Sequence, residues 1–354
     1  MGALIPARDD QRLGSGYHSP QVAVDVRLNT NESPYPPPRA WVEALAEHVG
    51  AVPFHRYPDR SARALRAALG QLHGVGPEQV FAANGSNEVL QTLLLAYGGP
   101  GRTAVTFEPT YALHAHIARL VGTEVVKGKR AGDFSLDPGE VERVLADARP
   151  EVTFLCSPNN PTGGAVPADV VARVVDLAPG LVVVDEAYGQ FSPWSALELV
   201  GDDVGLAVVR TYSKTWAMAG ARLGYLVGPP ALVAELDRRA LPYHLDALKQ
   251  AAGRLALRFR SEMETRVATI ARDRDALVGT LAALPVDTWP SDANFVLFRP
   301  RERAAGEVWQ ALLERSVLVR DCSGWPGLDG CLRVTVGTPD ENGAFLSALG
   351  EVLA

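Results

Sequence analysis

Four short runs of mainly valine and leucine, at 152–156, 181–184, 207–210 and 223–227, recur through the middle of the chain. Turn residues bound each, and stretches with helical spacing separate several of them. Runs this short and continuously apolar have no polar face to offer water. They read as strands buried on both faces, which is the situation in a mostly parallel sheet between helices. The alternation starts earlier. Spacing predicts helices over 41–49 and 62–72, then an apolar run over 80–83 ending at Asn84-Gly85-Ser86-Asn87 and a helix over 88–96. A strand over 103–107, a helix around 111–121 and a strand over 124–126 follow. The expected class is α/β.

Both ends of the chain depart from that pattern. Residues 1–40 are rich in proline, asparagine and charge and close on Pro36-Pro37-Pro38, which reads as an extended arm. From Tyr243 to Leu284 there is no proline and apolar residues recur at helical spacing; one or two long helices are expected, with Gly253 the candidate bend. After Pro285, 294–299 and 331–336 read as strands of an antiparallel sheet with a helix over 306–315 between them. Thr338-Pro339-Asp340-Glu341 is a capping box with proline at the first helical position. The expected organisation is an arm over 1–40, a large α/β domain over 41–250, and a smaller α+β domain over 251–354 against which the arm packs.

With 354 residues there is chain enough for such a division. The net charge of −7 argues against nucleic acid or an anionic membrane as partner, though not against a local cationic pocket for a small anion. Cys156, Cys322 and Cys331 form no CxxC pair and no metal spacing, so no metal is expected and a reducing compartment is. The first ten residues carry no apolar signal core, Pro6 breaks the myristoylation pattern, and no apolar run approaches the roughly 18 residues that span a bilayer. A cytoplasmic protein is the expectation.

In open parallel sheets the crevice lies beyond the carboxyl ends of the strands, so chemistry belongs at those ends. Asn84-Gly85-Ser86-Asn87 leaves a strand and enters a helix, either as an ordinary helix start or as an anion site. Ser157-Pro158-Asn159-Asn160-Pro161-Thr162-Gly163 follows another strand and could be no more than a turn. Asp185 ends a run of three valines, as a helix cap or as a buried acid with a cationic partner, and Tyr188 lies three residues on. Ser213-Lys214 stands 29 residues after Asp185, and Arg222 eight residues after Lys214. A lysine able to form an imine, an acid at a strand end and an arginine able to hold a phosphate are the three groups that pyridoxal phosphate requires.

Taken in order, Asn-Gly-Ser-Asn, Asn-Asn-Pro-Thr-Gly, Asp-Glu-Ala-Tyr, Ser-Lys and Arg222 resemble a fold-type I pyridoxal 5'-phosphate aminotransferase from about residue 28 to the end. Gly16-Tyr17-His18, Leu28-Asn29-Thr30-Asn31-Glu32 and Arg56-Tyr57-Pro58-Asp59 narrow the resemblance to histidinol-phosphate aminotransferases of the actinobacterial type. So do Leu318-Val319-Arg320-Asp321 and Cys331-Leu332-Arg333-Val334-Thr335-Val336-Gly337. The resemblance implies a mostly parallel, seven-stranded type of sheet between helices plus the smaller domain. It implies a homodimer using an amino donor and 2-oxoglutarate, with no nucleic acid or membrane partner.

The same resemblance implies the site roles. Lys214 carries the cofactor and moves the proton. Asp185 pairs with the ring nitrogen, and Asn160 and Tyr188 bind the ring oxygen. Ser86, Asn87, Ser213 and Arg222 hold the phosphate, joined by Tyr57 from the other subunit, and Tyr111 stacks on the ring. Arg333 takes the substrate carboxylate, with Asn31 beside it, and Tyr17 and Arg320 take the substrate's distal phosphate. Two positions depart from the family pattern: Ser33, where Asn is common, and Asp246, where Ser often helps bind the substrate phosphate. A carboxylate at 246 repels a phosphate unless Lys249 or Arg320 neutralises it, and suits a cationic donor. The implied reaction is therefore transamination of L-histidinol phosphate in histidine biosynthesis, with an aromatic or cationic amino donor as the alternative. Arg333 argues against a simple decarboxylase on the same scaffold but leaves a C–S lyase open, and Lys214 argues against a catalytically dead regulator.

Overall fold

The computed structural model describes residues 20–354. Thirteen strands are present among them: β1 Val26–Arg27, β2 Val80–Ala83, β3 Thr103–Glu108, β4 Glu124–Lys129, β5 Val152–Cys156, β6 Leu181–Asp185, β7 Leu206–Thr211, β8 Gly224–Val227, β9 Val286–Thr288, β10 Phe295–Pro300, β11 Val317–Leu318, β12 Arg320–Asp321 and β13 Leu332–Thr335. The main sheet has seven strands in the order β2-β8-β7-β6-β5-β3-β4. Only β8 runs against its neighbours, so the mostly parallel α/β expectation holds. The valine runs explain the layering. Along β6, Val183 joins the core on one face while Val182 and Val184 join the core on the other. Both faces are dry because helices cover both.

The second sheet is antiparallel, in the order β12-β13-β10-β9. The arm is tied to this part of the molecule. β1 pairs in parallel with β11, and Leu28 is buried in the same core as Phe295, Phe298 and Phe345. The capping box forms as expected: Thr338 Oγ1 accepts from the Glu341 amide and opens the helix Pro339–Leu353.

Two local expectations need correction. The helix expected from 88 starts at Ser86, because Gly85 at φ 84° turns the chain sharply out of β2. The long helical stretch does not bend at Gly253. That glycine sits inside the helix Ala247–Ala256, where a Cβ would lie 2.4 Å from Leu223 Cδ2, so its service is close packing. The break falls at the 3-10 turn Leu257–Phe259, where Leu257 and Phe259 both pack on the core around Tyr212 and Tyr225. The next helix, Arg260–Leu281, carries Met263 in that core and Ile270, Leu277 and Leu281 in the other, linking the two sheets. Among the described residues no helix is long and apolar enough to cross a membrane.

Candidate active site

A cavity of about 180 Å³ opens at the carboxyl ends of the central strands, and Lys214, Asp185, Tyr188, Asn160, Asn31 and Arg333 line it together with Ser86, Asn87, Ser213 and Arg222. Lys214 follows β7. Its Nζ donates to the Thr30 carbonyl of the arm at 2.9 Å. Burial lowers its pKa to about 7, helped by the positive charges of Arg333 and Arg222 and opposed by Glu32.

Asp185 closes β6 and is 1% exposed. One carboxylate oxygen faces His114 Nε2 at 2.9 Å and the other accepts the Ala187 amide at 3.0 Å. His114 is fully buried and stacked on Phe154, with ring centroids 4.9 Å apart and planes 8° from parallel. The next acid, Glu186, is used differently. It forms a buried ion pair with Arg210 and accepts from Ser195 Oγ and the Ala196 amide, which fixes the loop leaving β6. Of the two adjacent acids, only Asp185 lines the cavity.

Tyr188 OH accepts from Asn31 Nδ2 at 2.9 Å, and burial pushes the phenol well above its ordinary pKa. Asn31 sits in the left-handed region at φ 54°. Its amide donates to Thr335 Oγ1, which donates back to Asn31 Oδ1, so β13 holds the arm in place. Arg333, also on β13, is 4% exposed. It donates to Asn160 Oδ1 and to the Asn29 carbonyl, and its guanidinium lies 5.1 Å from the Phe295 ring centroid.

At the far end of the cavity the helix Ser86–Tyr97 presents its N-terminus. Arg222 Nη1 donates to Ser213 Oγ at 3.1 Å. A Cβ at Gly224 would stand 2.3 Å from the Ser86 amide nitrogen, and one at Gly85 would stand 2.8 Å from Arg222 Nη2. The two glycines therefore let strand, helix start and guanidinium meet. The result is a cationic, N–H-lined cradle for an anion. Tyr111 OH donates to Asn87 Oδ1 at 3.3 Å, placing its ring between the cradle and His114, which it meets edge-on at 5.3 Å.

The remaining candidates are placed elsewhere. Tyr57 is 80% exposed and stacks on Tyr243 rather than entering its own cavity. Arg320 lies on β12 directly across the ladder from Arg333, with its guanidinium 5.5 Å from the Trp325 ring. Tyr17 lies outside the described residues. Asp246 is not brought to the cavity lining. It caps the helix Ala247–Ala256, accepting the Lys249 amide and Lys249 Nζ, each at 2.8 Å. Burial pulls its carboxyl up, but these bonds outweigh that effect and hold its pKa below the ordinary value. Two participants escaped the sequence reading. The Thr30 carbonyl carries no side-chain signal at all. The only trace of His114 is its position three residues after Tyr111, where a turn leads into the helix Leu113–Leu120.

Residues 23–349 match the family described as aminotransferase class I and II. The chain is 48% identical to a histidinol-phosphate aminotransferase of Frankia casuarinae, over 99% of this chain and 90% of that protein. It is 48% identical to one of Thermobifida fusca, over 98% of this chain and 95% of that protein. Its fold resembles a histidinol-phosphate aminotransferase of Sinorhizobium meliloti solved in complex with pyridoxal-5'-phosphate, with a TM-score of 0.85, 23% identity and coverage of 93% and 91% of the two chains. The chain belongs to the class I and II aminotransferases and, within them, to the histidinol-phosphate aminotransferase family.

Proposed function

We propose that this protein transfers the amino group of L-histidinol phosphate to 2-oxoglutarate with pyridoxal 5'-phosphate as cofactor, giving imidazole-acetol phosphate and glutamate in histidine biosynthesis. The carrying observation is that one cavity holds a lysine of depressed pKa, a buried carboxylate and an anion cradle. That donor set fits the cofactor. Ser86, Asn87, Ser213 and Arg222 would hold its phosphate, Asp185 its ring nitrogen, Asn160 and Tyr188 its ring oxygen, and Tyr111 its flat face. When bound, the cofactor supplies a carbonyl for the donor nitrogen and an electron-accepting ring.

The remaining work falls to the chain's own residues. Lys214, with a pKa near 7, can be neutral at working pH and so can take the donor's α-proton and return it. Asp185, held by His114, sets its carboxyl group where the ring nitrogen would need a hydrogen-bond acceptor. Arg333 offers its fork to the donor's polar end or to the acceptor's carboxylate. Arg320, with Tyr17, is assigned to the donor's phosphate. The exposure of Tyr57 supports its service to the neighbouring site of a homodimer. We place the enzyme in the cytoplasm.

The rival reading, a cationic amino donor, rested on Asp246 and loses its support, because that carboxylate is occupied by Lys249. The test is a panel of amino donors against 2-oxoglutarate, read as glutamate formed. Histidinol phosphate should lead in kcat/KM by about tenfold or more, roughly 1.4 kcal/mol of transition-state preference. A similar lead for an unphosphorylated cationic or aromatic donor would overturn the assignment.

A further inference from the structure

Cys322 and Cys331 look unrelated in the sequence, but the fold opposes them. β12 pairs with β13 in the register Arg320↔Arg333 and Asp321↔Leu332. One further step along both chains sets Cys322 against Cys331, and the Cys322 amide donates to the Cys331 carbonyl at 3.0 Å. The Cys331 amide turns instead to the Leu328 carbonyl, so the two cysteines close the end of the ladder. Residues opposed in an antiparallel ladder share a face of the sheet, with Cα atoms ~4.5–5.5 Å apart. That separation is the usual one between the Cα atoms of a disulfide. Both cysteines are buried, at 0% and 2% exposure, in one small apolar cluster with Leu297 and Leu328. Each Sγ has only a weak contact, 3.9 Å to the carbonyl two residues before it.

We propose that Cys322 and Cys331 form a redox-active dithiol that closes to an intramolecular disulfide. The oxidant is a low-molecular-weight disulfide. Its S–S bond breaks as the protein S–S bond forms, both electrons pass to it, and it leaves as two thiols carrying the two protons. Burial raises both thiols to about 11, so thiolate is scarce at neutral pH and closure speeds up as pH rises. Cys156 takes no part; its thiol faces the Pro158 carbonyl within its own strand-end turn.

The bond would also clamp a turn that matters to the site. Between the two cysteines, the Cys322 carbonyl accepts from Trp325, the Trp325 carbonyl from Leu328, and the Leu328 carbonyl from Cys331. Trp325 lies against Arg320. The effect on the substrate's phosphate rests on the function proposed above, whereas the covalent bond does not.

The test is direct, because cleavage at Arg320 and Arg333 releases both cysteines in a single tryptic peptide, 321–333. Native full-length protein is incubated with oxidised glutathione at pH 7 and pH 9, then unfolded, alkylated and mapped. The expected product is peptide 321–333 lighter by two hydrogens and unalkylated, formed faster at pH 9 and reversed by dithiothreitol, with Cys156 alkylated. Cys331→Ser should instead trap glutathione on Cys322. Wild-type protein with both cysteines alkylated, or with glutathione on one of them and no internal bond, would overturn the proposal. So would protein in which neither cysteine reacts in the native fold.

Discussion

His114 Nε2 and the Asp185 carboxylate meet at 2.9 Å in a fully buried contact beneath the cavity. The histidine thereby holds the acid at the end of β6 in one orientation, leaving it neither to water nor to a helix start. Replacing His114 with Ala removes one of the two partners recorded for that carboxylate. Transamination should fall by one to two orders of magnitude, and stability by about 1–3 kcal/mol. Steady-state kinetics and thermal unfolding check both. Unchanged kcat/KM would mean that His114 serves packing alone.

Asp185→Asn keeps the shape and removes the charge. The fold should survive while the rate drops by roughly three orders of magnitude, about 4 kcal/mol. Turnover near that of the wild type would leave Asp185 a structural residue.

The depressed pKa of Lys214 makes a prediction for the cofactor-free protein. Between about pH 7 and 10.5 the unfolded chain holds a proton on this lysine that the native protein has lost. Stability therefore rises with pH across that window. The difference in melting temperature between wild type and Lys214→Met should move in favour of wild type from pH 7 to pH 10. A flat difference would contradict the assigned environment of the amine.

Asp246→Ser should leave kcat/KM for phosphorylated and cationic donors unchanged within about twofold, since serine can still cap the helix and an exposed pair with Lys249 contributes only ~0–1 kcal/mol. Selective loss of a cationic donor would restore Asp246 to the substrate site.

Much of this site is legible in the sequence because its chemistry sits at strand ends and helix starts. There, valine runs and glycines mark position as well as identity. Lys214, Asp185, Arg222 and Ser86 fall on one cavity for that reason. What escapes is set by tertiary contact. His114 is recruited from a helix face, and the Thr30 carbonyl from the arm. Asp246 reads as a substrate residue until its helix is seen to need a cap. Gly253 reads as a bend until Leu223 is found packed against its missing side chain. The pairing of Cys322 with Cys331 depends on a strand register that no local pattern encodes.

The central claim is that Lys214 carries the cofactor, and borohydride reduction of the holoenzyme tests it most directly. The cofactor should become covalently fixed and block tryptic cleavage at Lys214, so that the modified peptide spans residues 211–222. Recovery of the reduced cofactor on any other lysine, or on none, would contradict the account.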